Sequence, residues 1–168
     1  MPSPIGHALG GIAAGSLVSP RPDRRTIALF AAAGILADID LVLPMVHRGP
    51  AHSLTAAALA FAAALIVLTW KTRSATSVRL AAAIGAAYLT HIVLDWLGED
   101  GGPPRGIMAL WPFSSSFYVS GLDLFHGVER RYWRPDFWQE NATAILTEVA
   151  ILAPAAWLAL RGVRMRRG

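Results

Sequence analysis

The chain has 168 residues, which suits a single domain, and no cysteine, which excludes disulfides and leaves imidazole and carboxylate as the only strong ligands for a transition metal. With 54% hydrophobic and 15% charged residues it is short of the polar side chains that coat a water-soluble domain, where about a quarter are charged. The formal net charge is +4, but the Arg and Lys fall in short clusters between apolar runs, a pattern that speaks for membrane topology and against nucleic-acid binding.

Five apolar stretches follow in chain order: residues 5–18, 26–43, 53–70, 78–97 and 143–160. The last four approach the length a bilayer-spanning helix needs, roughly 17 to 25 residues. The first is short and glycine-rich, a marginal span that must tilt or be shielded by the others. It lacks a positively charged leader region and does not read as a cleaved signal peptide. Alanine and glycine dominate these runs, and small residues let membrane helices approach closely. The predicted fold is therefore all-α, an integral membrane bundle of about five transmembrane helices in one embedded domain. Residues 1–97 form a four-helix core, 98–142 an outward loop and interfacial segment, 143–160 the last helix, and 161–168 a basic tail.

Basic residues orient the bundle. Arg21, Arg24 and Arg25 follow the first stretch, Lys71, Arg73 and Arg79 separate the third and fourth, and Arg161, Arg164, Arg166 and Arg167 end the chain. With five spans these groups share one side, which the positive-inside rule makes cytoplasmic. The loop 44–52 and the segment 98–142 then face outward. Trp111, Trp133 and Trp138, with Trp96 just before them, suit the headgroup level there. Residues 122–132 read as a short interfacial helix. Asp136 and Gln139 resemble a capping box, so the last helix is expected to begin before the membrane. Glu99 and Asp100 read as loop residues in water.

All five histidines (His7, His47, His52, His91 and His126) fall on the outward side, together with Asp38, Asp40 and Asp95. The orientation rests on Arg and Lys alone, so this convergence is a separate observation. His91 and Asp95 are spaced i, i+4 and share one helical face, which suits chelation or a plain His–Asp hydrogen bond. Asp38 and Asp40 cannot share a face of a regular helix, so either the helix unwinds there or only one points inward. The run His47-Arg48-Gly49-Pro50-Ala51-His52-Ser53 joins the second and third helices, with Ser53 or His52 placed to cap the latter. Arg48 on this side offers a planar fork of donors suited to phosphate. His126, flanked by Asp123 and Glu129, is a weaker candidate for a second position. Ionisable groups within membrane segments are functional by default.

The segments MPSPIGHALGG, GILADIDLVLP, HRGPAHSL and HIVLDWLGEDGG leading to LWPFS resemble the YdjM-type family of bacterial inner-membrane metal-dependent hydrolases over about residues 1–114. That family is held to be remotely similar to zinc-dependent phospholipase C and single-strand nucleases. The resemblance implies an all-α zinc site of one or two ions, with His7, Asp38, His52, His91 and Asp95 as ligands and Asp95 able to bridge. Ala37 and Ala51 depart from the family pattern without removing a ligand. The expected activity is hydrolysis of a phosphate ester, with a membrane phospholipid as one substrate. Asp40, His47 and Arg48 are the catalytic candidates, Arg48 for charge stabilisation and His47 for proton transfer. The other expectation is a non-catalytic, metal-stabilised membrane binding or regulatory protein.

Overall fold

The computed structural model describes residues 1–19, 22–41, 47–70 and 74–165, the side chains of 163–165 excepted. Arg21, Lys71, Arg73, Arg166 and Arg167 lie outside these, as do the end of the second predicted stretch at 42–43 and the start of the predicted loop at 44–46. The described residues form five helices: α1 (Pro4–Val18), α2 (Arg24–Ile35), α3 (Leu54–Thr69), α4 (Ala75–Leu97) and α5 (Phe137–Met165).

Side-chain caps set four of the five starts. Asp23 accepts the Thr26 N–H at 2.8 Å, Ser53 that of Ala56 at 3.0 Å and Ser74 that of Ser77 at 3.1 Å. Ser3 accepts from Gly6 at 3.3 Å, with Pro4 at the first helical position, where its missing N–H costs nothing. Ser53 also donates to the Pro50 carbonyl at 2.7 Å, so it, rather than His52, caps α3.

α1 lies at the centre, packed against α2, α4 and α5, while α3 packs on α4. Glycine makes the α1–α2 approach possible. A Cβ on Gly11 would meet the Phe30 carbonyl at 2.5 Å and the Gly34 Cα at 2.9 Å. Phe30 is fully buried over Gly15, whose missing side chain leaves room for its ring.

The five predicted spans are not all long enough to cross a bilayer alone. Among the described residues only α4, with 23 residues, and α5 have the length and apolarity. At 1.5 Å per residue α4 reaches about 34 Å, against a hydrocarbon core of about 30 Å. α1 and α3 are apolar but shorter, with 15 and 16 residues. α2 stops at Ile35, and residues 36–41 continue as a tighter turn of 3₁₀ type.

The segment between α4 and α5 is irregular, and the interfacial helix expected over 122–132 does not form. Its backbone groups bond elsewhere. Leu124 N–H donates to the Leu97 carbonyl at 2.9 Å, Glu99 N–H to Phe125 at 2.8 Å, and Val128 N–H to Met1 at 3.2 Å. Asp123 adopts a left-handed conformation (φ 47°), which also interrupts a helix. The segment thereby folds back over the end of α4. Further along, Met108 N–H bonds the Arg48 carbonyl and Leu54 N–H bonds Ala109, both at 2.9 Å, closing the loop over the start of α3. α5 begins at Phe137, ahead of its apolar stretch, as expected. The Asp136 side chain, however, pairs with Arg134 at 2.8 Å instead of capping the helix.

Candidate metal centre

Helix direction brings the chemistry together. The N-terminal turn of α1 carries His7, the turn after α2 carries Asp38 and Asp40, the turn before α3 carries His52, and the last two turns of α4 carry His91 and Asp95. All six meet at one end of the bundle. His7, His52, His91, Asp40 and Asp95 are each 2% exposed or less. Unwinding after Ile35 resolves the Asp38–Asp40 problem, because off the α-helical period both carboxylates turn inward.

The ring nitrogens are assigned by their neighbours. His91 Nδ1 lies 2.7 Å from the Gly34 carbonyl, which can only accept, so Nδ1 carries the proton and Nε2 presents a lone pair. His52 Nδ1 lies 3.2 Å from Asp40 Oδ2 without hydrogen-bond geometry, and its Nε2 is likewise turned inward. These two Nε2 atoms stand 3.0 Å apart. At that distance the two nitrogens hold either a proton between them, as a His52–His91 hydrogen bond, or a metal.

Asp95 completes the convergence. Its Oδ2 is 3.2 Å from His91 Nε2 and 3.3 Å from His52 Nε2, and its Oδ1 is 3.2 Å from His7 Nε2. These are hydrogen-bond distances, yet the directions are wrong for hydrogen bonds, and both Asp95 oxygens are buried without a donor. Asp38 Oδ1 stands 3.7 Å from both Nε2 atoms, and its side chain is 14% exposed, the only appreciable opening among the six. The His7 and His91 rings stack with centroids 3.6 Å apart.

Such a donor set fits a metal. Zinc–nitrogen bonds of 2.0–2.1 Å put neighbouring ligands of a tetrahedron about 3.3 Å apart. The separations here run from 3.0 to 3.7 Å. Three overlapping sets of candidate ligand atoms each span no more than 4.8 Å: Asp38, Asp40, His47 and His52; His7, Asp38 and His91; His52, His91 and Asp95. Buried imidazoles oriented by a carbonyl and a carboxylate on their far nitrogens are the usual support around metal ligands.

Asp40 is a hub on the outer side of this cluster. Its Oδ1 is 2.8 Å from His47 Nδ1, and its Oδ2 accepts the Arg48 N–H at 3.0 Å besides facing His52. His47 Nε2 in turn accepts from the Arg130 guanidinium at 2.9 Å. Burial depresses the His47 pKa, Asp40 pulls the other way, and Arg130 adds to the depression. His47 is thus a neutral ring with both nitrogens engaged. Burial alone would depress His52 too, but Asp38, Asp40 and Asp95 around it raise its pKa to about 9.

Arg48 adopts a left-handed backbone conformation (φ 64°), a strained state for a side chain with a Cβ. Its guanidinium turns to Asp100 and to the Pro104 carbonyl at 3.3 Å, while its Nε is buried without an acceptor. Asp100, expected in a solvated loop, is 2% exposed at its side chain because it holds Arg48 and the N–H groups of Gly102 and Gly106. His126 stands apart. It is 56% exposed, 3.6 Å from Glu99, and with no helix over 122–132 the spacing that would bring Asp123 and Glu129 to it is lost.

Two groups went unnoticed in the sequence. Glu148, the only acid in the apolar stretch 143–160, is fully buried and accepts from the Ser3 N–H at 2.7 Å and from the Ser3 hydroxyl. It pins the start of α1 to α5, and its place in a membrane stretch was signal enough. Arg130 gave no signal, since only the folded loop brings it to His47.

A family model described as YdjM inner membrane protein matches residues 1–166. No curated protein and no solved structure matches the chain.

Proposed function

The chain belongs to the YdjM inner membrane protein family, and from that premise we propose a multi-pass membrane metallohydrolase that cleaves phosphate esters. The carrying observation is the pair of inward-facing Nε2 atoms of His52 and His91, 3.0 Å apart beside the donor-free carboxylate of Asp95. His7, Asp38, His52, His91 and Asp95 would hold one or two divalent ions, zinc by the chemistry of the donors. When bound, such an ion acidifies water and polarises a phosphoryl oxygen. The chain's own groups do the rest. Asp40 fixes the His52 ring, the Gly34 carbonyl fixes His91, and burial keeps bulk water from the ligands. Arg48 and His47 are the candidates for charge stabilisation and proton transfer at the rim. In this reading α1, α2 and α3 complete the crossing alongside α4 and α5, the site faces outward, and the C-terminus is cytoplasmic.

A second reading keeps the metal and removes the chemistry. The burial of the ligand set, open appreciably only at Asp38, favours a structural ion in a binding or regulatory protein. Turnover separates the two. The detergent-purified protein should cleave a phosphodiester reporter or phospholipid, a chelator should stop it, and His91→Ala should lower the rate at least 100-fold. Metal bound in full with no turnover across both substrates would favour the structural ion.

A further inference from the structure

A cavity of about 510 Å³, within the size range of small-molecule sites, is linked to the buried cluster through Arg48 and Arg130. Arginines Arg48, Arg130, Arg131 and Arg134 line it. Three of these are paired with acids: Arg48 with Asp100, Arg131 with Glu129 at 2.6 Å, and Arg134 with Glu129 at 3.2 Å. Arg130 differs. Its one polar contact is with the neutral His47 ring, at 2.9 Å, and it has no carboxylate partner among the described residues. In the same wall the Arg48 Nε is buried with its proton unaccepted. Arg130 is therefore the cavity's arginine without an acid partner among the described residues, and both it and the Arg48 backbone connect to the buried cluster through a single carboxylate. Asp40 holds the His47 ring that meets Arg130, the Arg48 N–H, and His52.

We propose that this cavity is the phosphate-binding pocket of the substrate, with Arg130 as the principal contact. The assignment rests on the phosphoesterase reading for its place in catalysis, but not for the binding itself. Guanidinium is matched to phosphate oxygens by its planar fork and by charge-assisted hydrogen bonds. An incoming phosphate competes with His47 for Arg130. Its arrival frees His47 Nε2, the nitrogen that a proton-transfer group needs. The neighbouring acids favour a single phosphoryl group over a polyanion, because Glu99 and Glu140 also line the wall.

Inorganic phosphate titrated calorimetrically into the detergent-purified full chain tests the pocket without any turnover. The wild type should bind, Arg130→Met should weaken binding at least tenfold, and Arg130→Lys should recover part of it, with metal content the same in all three. Arg161→Met, which lies outside the cavity over the Trp157 ring, should change affinity less than threefold. Competition by glycerol phosphate against phosphatidylglycerol nanodiscs then tells a soluble ester from a lipid headgroup. Equal phosphate affinity in wild type and Arg130→Met overturns the pocket, whatever the turnover assay gives. Phosphate binding that depends on Arg130 without hydrolysis keeps the pocket and removes the hydrolase.

Discussion

Asp40 illustrates how one carboxylate organises a site it need not ligate: two oxygens serve His47, His52 and the Arg48 backbone. The His52 environment gives a pH prediction. Its folded pKa of about 9 lies above the ordinary imidazole value of 6.5. A raised pKa stabilises the metal-free protein fully below about pH 6.5, and that contribution is lost as pH rises towards 9. Metal needs the deprotonated ring, so the metal-loaded form should not share this loss. Melting curves in detergent should show the gap between loaded and chelated protein widening from pH 6.5 to 9, and narrowing in His52→Gln. Parallel curves would contradict the assignment. The clustering of the candidate ligands was legible because His91 and Asp95 share a helical face and the others share a side. Arg130 and Asp100 were not, because loop pairings with Leu97, Met1 and Arg48 bring them in, and no local pattern encodes those.

At the scale of elements, the close contact of α1 and α2 positions both His7 and the carbonyl that orients His91. A Cβ on Gly34 would collide with the His7 carbonyl and come within 3.1 Å of the Gly11 Cα. Both obstacles are backbone and cannot swing away. Gly34→Ala would gain about 1 kcal/mol of helix propensity. Overpacking costs about 1 to 3 kcal/mol, and here the strain falls on the candidate ligands His7 and His91 as well. The variant should melt lower and lose most of its metal, whereas Gly101→Ala, with nothing within 4 Å, should do neither. A Gly34→Ala protein with wild-type melting and metal content would refute this view of the contact. Of the four capped helix starts, the sequence pointed only to that of α3, through Ser53 or His52; Ser3, Asp23 and Ser74 emerge as caps only in the fold. The turn over 36–41 was legible only as a choice between two outcomes. The error over 122–132 has a general cause: a short amphipathic stretch is not a helix when its N–H groups find acceptors on distant segments.

For the whole molecule, the apolar surface is consistent with membership of an inner-membrane family. α3 buries little but Ala57 and exposes Leu59, Ile66 and Val67, and α5 exposes Leu146, Ile151 and Leu158. Water would penalise such faces, whereas lipid would not. The composition made the membrane class legible, but it overstated the number of helices long enough to cross alone, because the second apolar stretch passes into a 3₁₀ turn after Ile35 and the third forms a helix of 16 residues. What the composition could not reveal is whether the hard-to-bury groups meet, and the account depends on their meeting around a cation. Elemental analysis of the detergent-purified chain, beside His91→Ala and Asp95→Ala, addresses that most directly. The account predicts about one or two divalent ions per wild-type chain and a loss of most of that metal in either folded variant. Metal-free wild type that stays metal-free after incubation with zinc, or variants that keep the full complement, would contradict it.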